Sequence, residues 1–108
     1  MLGVISDEVV AGFITLGETS RAATEIYVMA IRPSFHRMGL GASLINAASE
    51  KARLSGHRYL TVKTVGPSRP NAAYESTRRC YLVAGFEPIE EFEGLWDENP
   101  CLLMLKPI

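Results

Sequence analysis

What this chain of 108 residues lacks narrows it first. No apolar run reaches the roughly 20 residues that a bilayer-spanning helix needs. The first residues, MLGVISDEVV, have no basic stretch and place Asp7 and Glu8 early, so they do not read as a signal peptide. Cysteine is scarce. Cys80 and Cys101 stand far apart, without the close pairing of metal sites, and read as two buried thiols in a reducing cytoplasm. No metal site is expected. Neither charge sign is in excess: a net charge of −1 gives no electrostatic footing for a nucleic acid or a membrane surface. There is no repeat, low-complexity segment or linker, so residues 1–108 read as a single domain.

What is present is a regular alternation of elements. Gly3 to Ile5 and Val9 to Leu16 read as strands about a turn at Asp7-Glu8. Glu25 to Ile31, "EIYVMAI", is apolar on both faces after its first residue, the pattern of a central strand. From Gly39 to Ser55, Leu40, Leu44, Ala47, Ala48 and Ala52 recur at helical spacing against Glu50, Lys51 and Arg53. Gly56 stands where a left-handed helix stop belongs. Arg58 to Thr64 reads as a strand, and a helix follows from a cap at Asn71 to about Ala84, stopped by Gly85. "FEPIEEF" and "CLLMLKP" close the chain as strands. The order β-β-β-α-β-α-β-β predicts an α/β (α+β) fold. One mixed sheet carries parallel pairing near its middle.

The stretch "RPSFHRMGLGASL" departs from ordinary helix chemistry. Gly39 and Gly41 open the helix, although glycine costs about 1 kcal/mol against alanine in a helix. Their bare backbone would let an anion approach the unpaired N–H groups of the first turn. A dinucleotide fingerprint needs a third glycine where Leu44 stands, and a P-loop needs Lys where Ala42 stands. Taken alone, the two glycines fit either a tight turn against the sheet or a loop that holds a phosphate or pyrophosphate.

Their surroundings resemble a known family. "EIYVMAIRPSFHRMGLGASLI" is similar to the central motif of the GNAT superfamily of N-acetyltransferases, in which a Pro-ended strand leads through Q/R-x-x-G-x-G/A into a helix. Met29, Ile31 and Pro33 match the strand end, and Gly39, Leu40 and Gly41 match the loop. His36 holds the position where the family usually has Gln or Arg, and Arg37 follows it. Further on, "YLVAGF" gives Tyr81, Gly85 and Phe86, the family's Tyr-x-x-x-Gly-Phe; Tyr74 stands where an Asn is often found.

The resemblance implies an enzyme with acetyl-CoA as cosubstrate and no metal. Met29, Ala30 and Ile31 would pair with the pantetheine arm through the backbone. Arg37, Met38, Gly39, Leu40, Gly41 and Ala42 would hold the pyrophosphate. Direct acetyl transfer to a primary amine, small-molecule or protein-borne, would follow. A lysine-type amine has a pKa of about 10.4 and must lose a proton first. Tyr81 would be the general acid for the leaving sulfur, or an aromatic packed beneath the cofactor. A backbone N–H near Met29 would polarise the carbonyl. Glu25 is the candidate base, sharing a face with Tyr27, Met29 and Ile31 by period-2 alternation; as an ordinary strand-end glutamate it would be solvated. Glu90 and Glu91 are weaker candidates. His36 and His57 read as surface histidines and Lys63 as an exposed strand residue. Trp96 would recognise the acceptor, or serve as a lid or an oligomer contact.

Against the family the chain looks short, lacking the N-terminal strand and helices that help wall the acceptor pocket. Two expectations follow: a homodimer or larger assembly that covers the open sheet, or a chain that is a fragment. A non-catalytic CoA-binding or regulatory module is the alternative function. A purely structural domain, its glycine loop binding nothing, is the third.

Overall fold

Strand-forming and helix-forming stretches alternate along the chain, and the computed structural model places them in one sheet with two helices. It describes residues 2–6, 9–31, 39–68, 72–96 and 99–108. The elements are β1 (Leu2–Ser6), β2 (Val9–Glu18), β3 (Ala23–Ile31), α1 (Leu40–Leu54), β4 (Tyr59–Val65), α2 (Ala72–Val83), β5 (Glu87–Phe92) and β6 (Cys101–Pro107). This is the order expected from the sequence. The six strands lie in the order β1-β2-β3-β4-β6-β5. Among the described residues only β3 and β4 pair in parallel, and every other neighbouring pair is antiparallel.

The core lies on one sheet face. Ile14, Ile26, Leu60, Val62, Leu102 and Met104 pack there against Leu44, Ile45, Ala48 and Ala52 of α1 and Tyr81 of α2. Alternation therefore sends Thr61, Lys63, Leu103 and Leu105 to the other face. Among the described residues no helix packs there, and Val28 on β3 is half exposed.

The helical pattern of α1 needs one correction. Ala47 faces solvent, and Ile45 and Ser49 take part in the buried face instead. The Ser49 hydroxyl is satisfied by donating to the Ile45 carbonyl at 2.9 Å. The helix ends in a Schellman turn: Gly56 adopts φ 82°, its N–H donates to Arg53 O, and His57 N–H donates to Ala52 O. That turn carries the ring of His57 inward. His57 is buried, not on the surface, and its Nδ1 lies 2.6 Å from the Thr24 hydroxyl at the start of β3.

Among the described residues, no helix is long and apolar enough to cross a membrane. None of them form a group of three or more His, Cys, Asp or Glu that could hold a metal ion. Cys80 is half-buried and Cys101 buried, both as free thiols.

Candidate functional site

The site begins where the two parallel strands part. β3 and β4 pair from Ala23↔Tyr59 to Ile26↔Val62 and no further. Beyond that point β4 runs on to Val65 against β6, and β3 runs on to Ile31 against β2. Among the described residues, the β4-facing edge of β3 after Ile26 thus has no strand partner, an edge whose N–H and C=O groups can pair with an added chain.

A β-bulge sits at the parting. Leu16 pairs with Ile26 and Thr15 with Val28, so Tyr27 is the extra residue on β3. The bulge shifts the strand's parity. Met29 packs against the same core as Ile26, while Glu25 lies on the opposite face. The period-2 expectation that Glu25 and Met29 share a face is overturned by this one residue. It also explains why Tyr27, Val28 and Ala30 are exposed in a strand that reads as central.

A cavity of about 940 Å³ opens beside the parting. Met29 and Ala30 of β3, with Gly39, Gly41 and Ala42 at the start of α1, form one side. Thr77, Cys80 and Val83 on α2, with Ala84 just past its end, form the other. Five of the cofactor-binding candidates are thereby brought together. Leu40 is half-buried in the first turn of α1, and Ile31 closes β3 opposite Gly12. Arg37 and Met38 lie outside the described residues, as do Pro33, His36 and Asn71.

The start of α1 suits an anion on physical grounds. Gly39 is the N-cap with φ 74° and ψ 10°, a left-handed conformation natural to glycine. Among the described residues no side chain caps the first turn and no acidic residue lies in it, so none of these blocks the N–H groups or the positive end of the helix dipole.

The "YLVAGF" stretch proves to be a second Schellman turn. Gly85 has φ 101°, its N–H donates to Leu82 O, and Phe86 N–H donates to Tyr81 O. Such a turn places an apolar contact between the residues at either end. Here that contact is Tyr81 against Phe86, edge to face, with ring centroids 5.4 Å apart. Tyr81 is buried in the core and is not among the described residues lining the cavity, although its neighbour Cys80 is. Burial, reinforced by Cys80, pushes its hydroxyl pKa up to about 12. Burial also raises the Cys80 thiol.

Glu25 is not a solvated strand-end side chain. It is buried, its Oε1 lies 3.3 Å from Lys63 Nζ, and the Thr61 hydroxyl donates to the same oxygen at 3.4 Å. Glu91 is engaged too: Oε2 accepts from the Ser68 N–H and hydroxyl, at 3.2 and 3.0 Å, in the loop between β4 and α2. Glu90 is exposed on β5, and Trp96 is exposed beside Leu95 in the turn before β6.

The residue-type reading missed the α2 wall of the cavity. Ser76, Cys80 and Val83 recur at i, i+4 and i+7, the spacing of one helix face, and that spacing was the available signal. It also missed Arg78, which is buried and donates from Nη1 to Val65 O at 2.7 Å, fastening α2 to the end of β4.

Comparison with known proteins agrees with this architecture. The family model described as "Acetyltransferase (GNAT) family" matches residues 1–86. No curated protein matches the chain in sequence. Among solved structures, a GNAT-family protein from Desulfovibrio desulfuricans superposes with a TM-score of 0.85 at 24% identity, covering 97% of this chain and 65% of that one. Ard1 from Thermoplasma volcanium gives 0.81 at 20% identity, covering 94% and 66%. A GNAT-family acetyltransferase from Elizabethkingia anophelis, solved with acetyl-CoA bound, gives 0.81 at 17% identity, covering 96% and 72%. The chain thus spans just under two thirds of the first two neighbours.

Proposed function

The chain belongs to the GNAT family of acetyltransferases, and on that footing we propose that it moves an acetyl group from acetyl-CoA directly to a primary amine. The observation that carries the reading is the parting of β3 from β4 after Ile26 and Val62, with the cavity beside it. An extended arm with amide groups can complete an open strand edge, and Met29, Ala30 and Ile31 lie along the unpaired length. Gly39, Leu40, Gly41 and Ala42, with Arg37 and Met38 before them, are the pyrophosphate cradle of this reading. Its backbone does the gripping, because Gly39 and Gly41 leave those N–H groups open. The acetyl-CoA-bound neighbour supports the same assignment.

The chemistry needs a neutral amine, a polarised carbonyl and a protonated leaving sulfur. Glu25 takes the amine proton. A backbone N–H near Met29 polarises the thioester carbonyl. Tyr81, holding its proton to about pH 12, serves as an acid rather than a base at neutral pH. The amine sits on a small molecule or a protein. Two free thiols suit a cytoplasmic setting.

A second reading, a CoA-binding module without catalysis, has its own observation. Glu25 is tied to Lys63, and Tyr81 does not line the cavity. Calorimetry with acetyl-CoA, followed by mass spectrometry of a mixed amine library, separates the two. Binding plus an acetylated amine supports the transferase. Binding without any acetylated product supports the module, and no binding ends both.

The oligomeric part of the proposal is a homodimer. The helix-free face carries Phe13, Leu103 and Leu105 half-buried and Val28 half-exposed, apolar surface that a second copy would cover. A monomer at micromolar concentration in light scattering overturns this.

A further inference from the structure

We infer that Lys63 is itself an acetyl acceptor, modified in cis by acetyl-CoA bound between β3 and β4. The inference rests on the transferase reading above and names one amine that stands beside the parting of β3 from β4.

The register places Lys63 at the mouth of the parting. Ile26↔Val62 is the last β3–β4 pair, and Lys63 is the next residue on β4. Level with it on β3 stands Tyr27, the bulged residue, where the unpaired edge begins. Alternation puts Lys63 on the helix-free face with Thr61. Glu25, the partner of Thr61 across the ladder, lies on that face too.

The local chemistry is that of an amine held beside a base. Lys63 Nζ lies 3.3 Å from Glu25 Oε1, within reach of direct proton transfer. The Glu25 side chain is 11% exposed and the Lys63 side chain 40%, so the carboxylate is fixed while the amine has room to swing. Thr61 steadies the carboxylate from β4. Because the Lys63 ammonium is the exposed partner of the pair, it can leave the carboxylate without any other side chain having to move first.

The step balances. The Lys63 ammonium gives one proton to Glu25, and the neutral Nζ attacks the thioester carbonyl. An N–C bond forms as the C–S bond breaks. The second nitrogen proton goes to the departing thiolate, so the products are acetyl-lysine, free CoA thiol and one proton that Glu25 returns to solvent.

The chain supplies its own controls, because Lys51 and Lys106 are its only other lysines. The 108-residue chain is incubated with acetyl-CoA, and acetylation at each lysine is followed by peptide mass spectrometry. Lys63 is expected to react at least about tenfold faster than Lys51 and Lys106, with a rate constant independent of protein concentration. Glu25→Gln is expected to slow Lys63 by about tenfold or more and leave the other two unchanged, with circular dichroism confirming the fold. Lys63→Arg removes the fast product. Equal rates at all three lysines, or a Lys63 rate that scales with protein concentration, overturn the proposal. Calorimetry distinguishes the two levels of failure. Acetyl-CoA binding with Lys63 unmodified overturns this proposal alone, and absent binding overturns the transferase reading with it.

Discussion

The ring of Tyr27 rests on the bare backbone of Gly17 across the β2–β3 ladder, in the space that a β-carbon on Gly17 would need. Gly17→Ala therefore evicts the ring. Tyr27 is already 56% exposed and can turn to solvent, so the cost is small. A denaturant melt is expected to show a loss of less than about 1 kcal/mol, with altered Tyr27 fluorescence as the sign that the ring has moved.

Gly39 makes the opposite case. A β-carbon there would meet nothing within 4 Å, yet φ is +74°. Gly39→Ala is expected to cost about 1–2 kcal/mol through backbone strain alone, and Gly39→Asn less, because Asn tolerates the left-handed region. Both are measured by chemical denaturation. On the proposed function, Gly39→Ala also weakens acetyl-CoA binding in calorimetry.

Tyr81 should mark the alkaline limit of stability. Its pKa is about 12 in the fold against 10.0 for a free tyrosine. The folded state thus holds the proton more tightly than the unfolded state. The contribution is fully present below pH 10 and is lost as pH rises towards 12. Its size is on the order of 2–3 kcal/mol. Stability is expected to fall across that window, and Tyr81→Phe should flatten the fall and remove a late-titrating tyrosinate from the ultraviolet absorbance.

The His57 ring offers a contrast between its two nitrogens. Thr24→Val leaves buried Nδ1 without its hydroxyl partner and is expected to cost about 1–3 kcal/mol. Nε2 lies 3.9 Å from the exposed carboxylate of Glu18. Glu18→Gln is expected to change stability by less than about 0.5 kcal/mol. Paired thermal melts check both.

Element order and both helix stops were legible because they are written locally. Gly56 and Gly85 end helices by their own backbone freedom, and the spacing of Leu44, Ala48 and Ala52 declares a helix face. The bulge was not legible. "EIYVMAI" is apolar at both parities, so nothing in it records where the alternation slips. Glu25 with Lys63 and His57 with Thr24 were hidden for another reason. Each pair is made by strand register and helix placement, between residues far apart in sequence. For the same reason Glu25 read as solvated and His57 as a surface residue.

The bulge at Tyr27 also sets what kind of genetic change the strand can absorb. Substitutions from Glu25 to Met29 alter one side chain each. Deleting a single codon there would do more. It would remove the extra residue, restore plain alternation and exchange the two faces of everything on one side of the cut. Either Met29 would leave the core or Glu25 would enter it. The length of the strand, more than the identity of any residue in it, is what keeps Glu25 and Met29 on opposite faces.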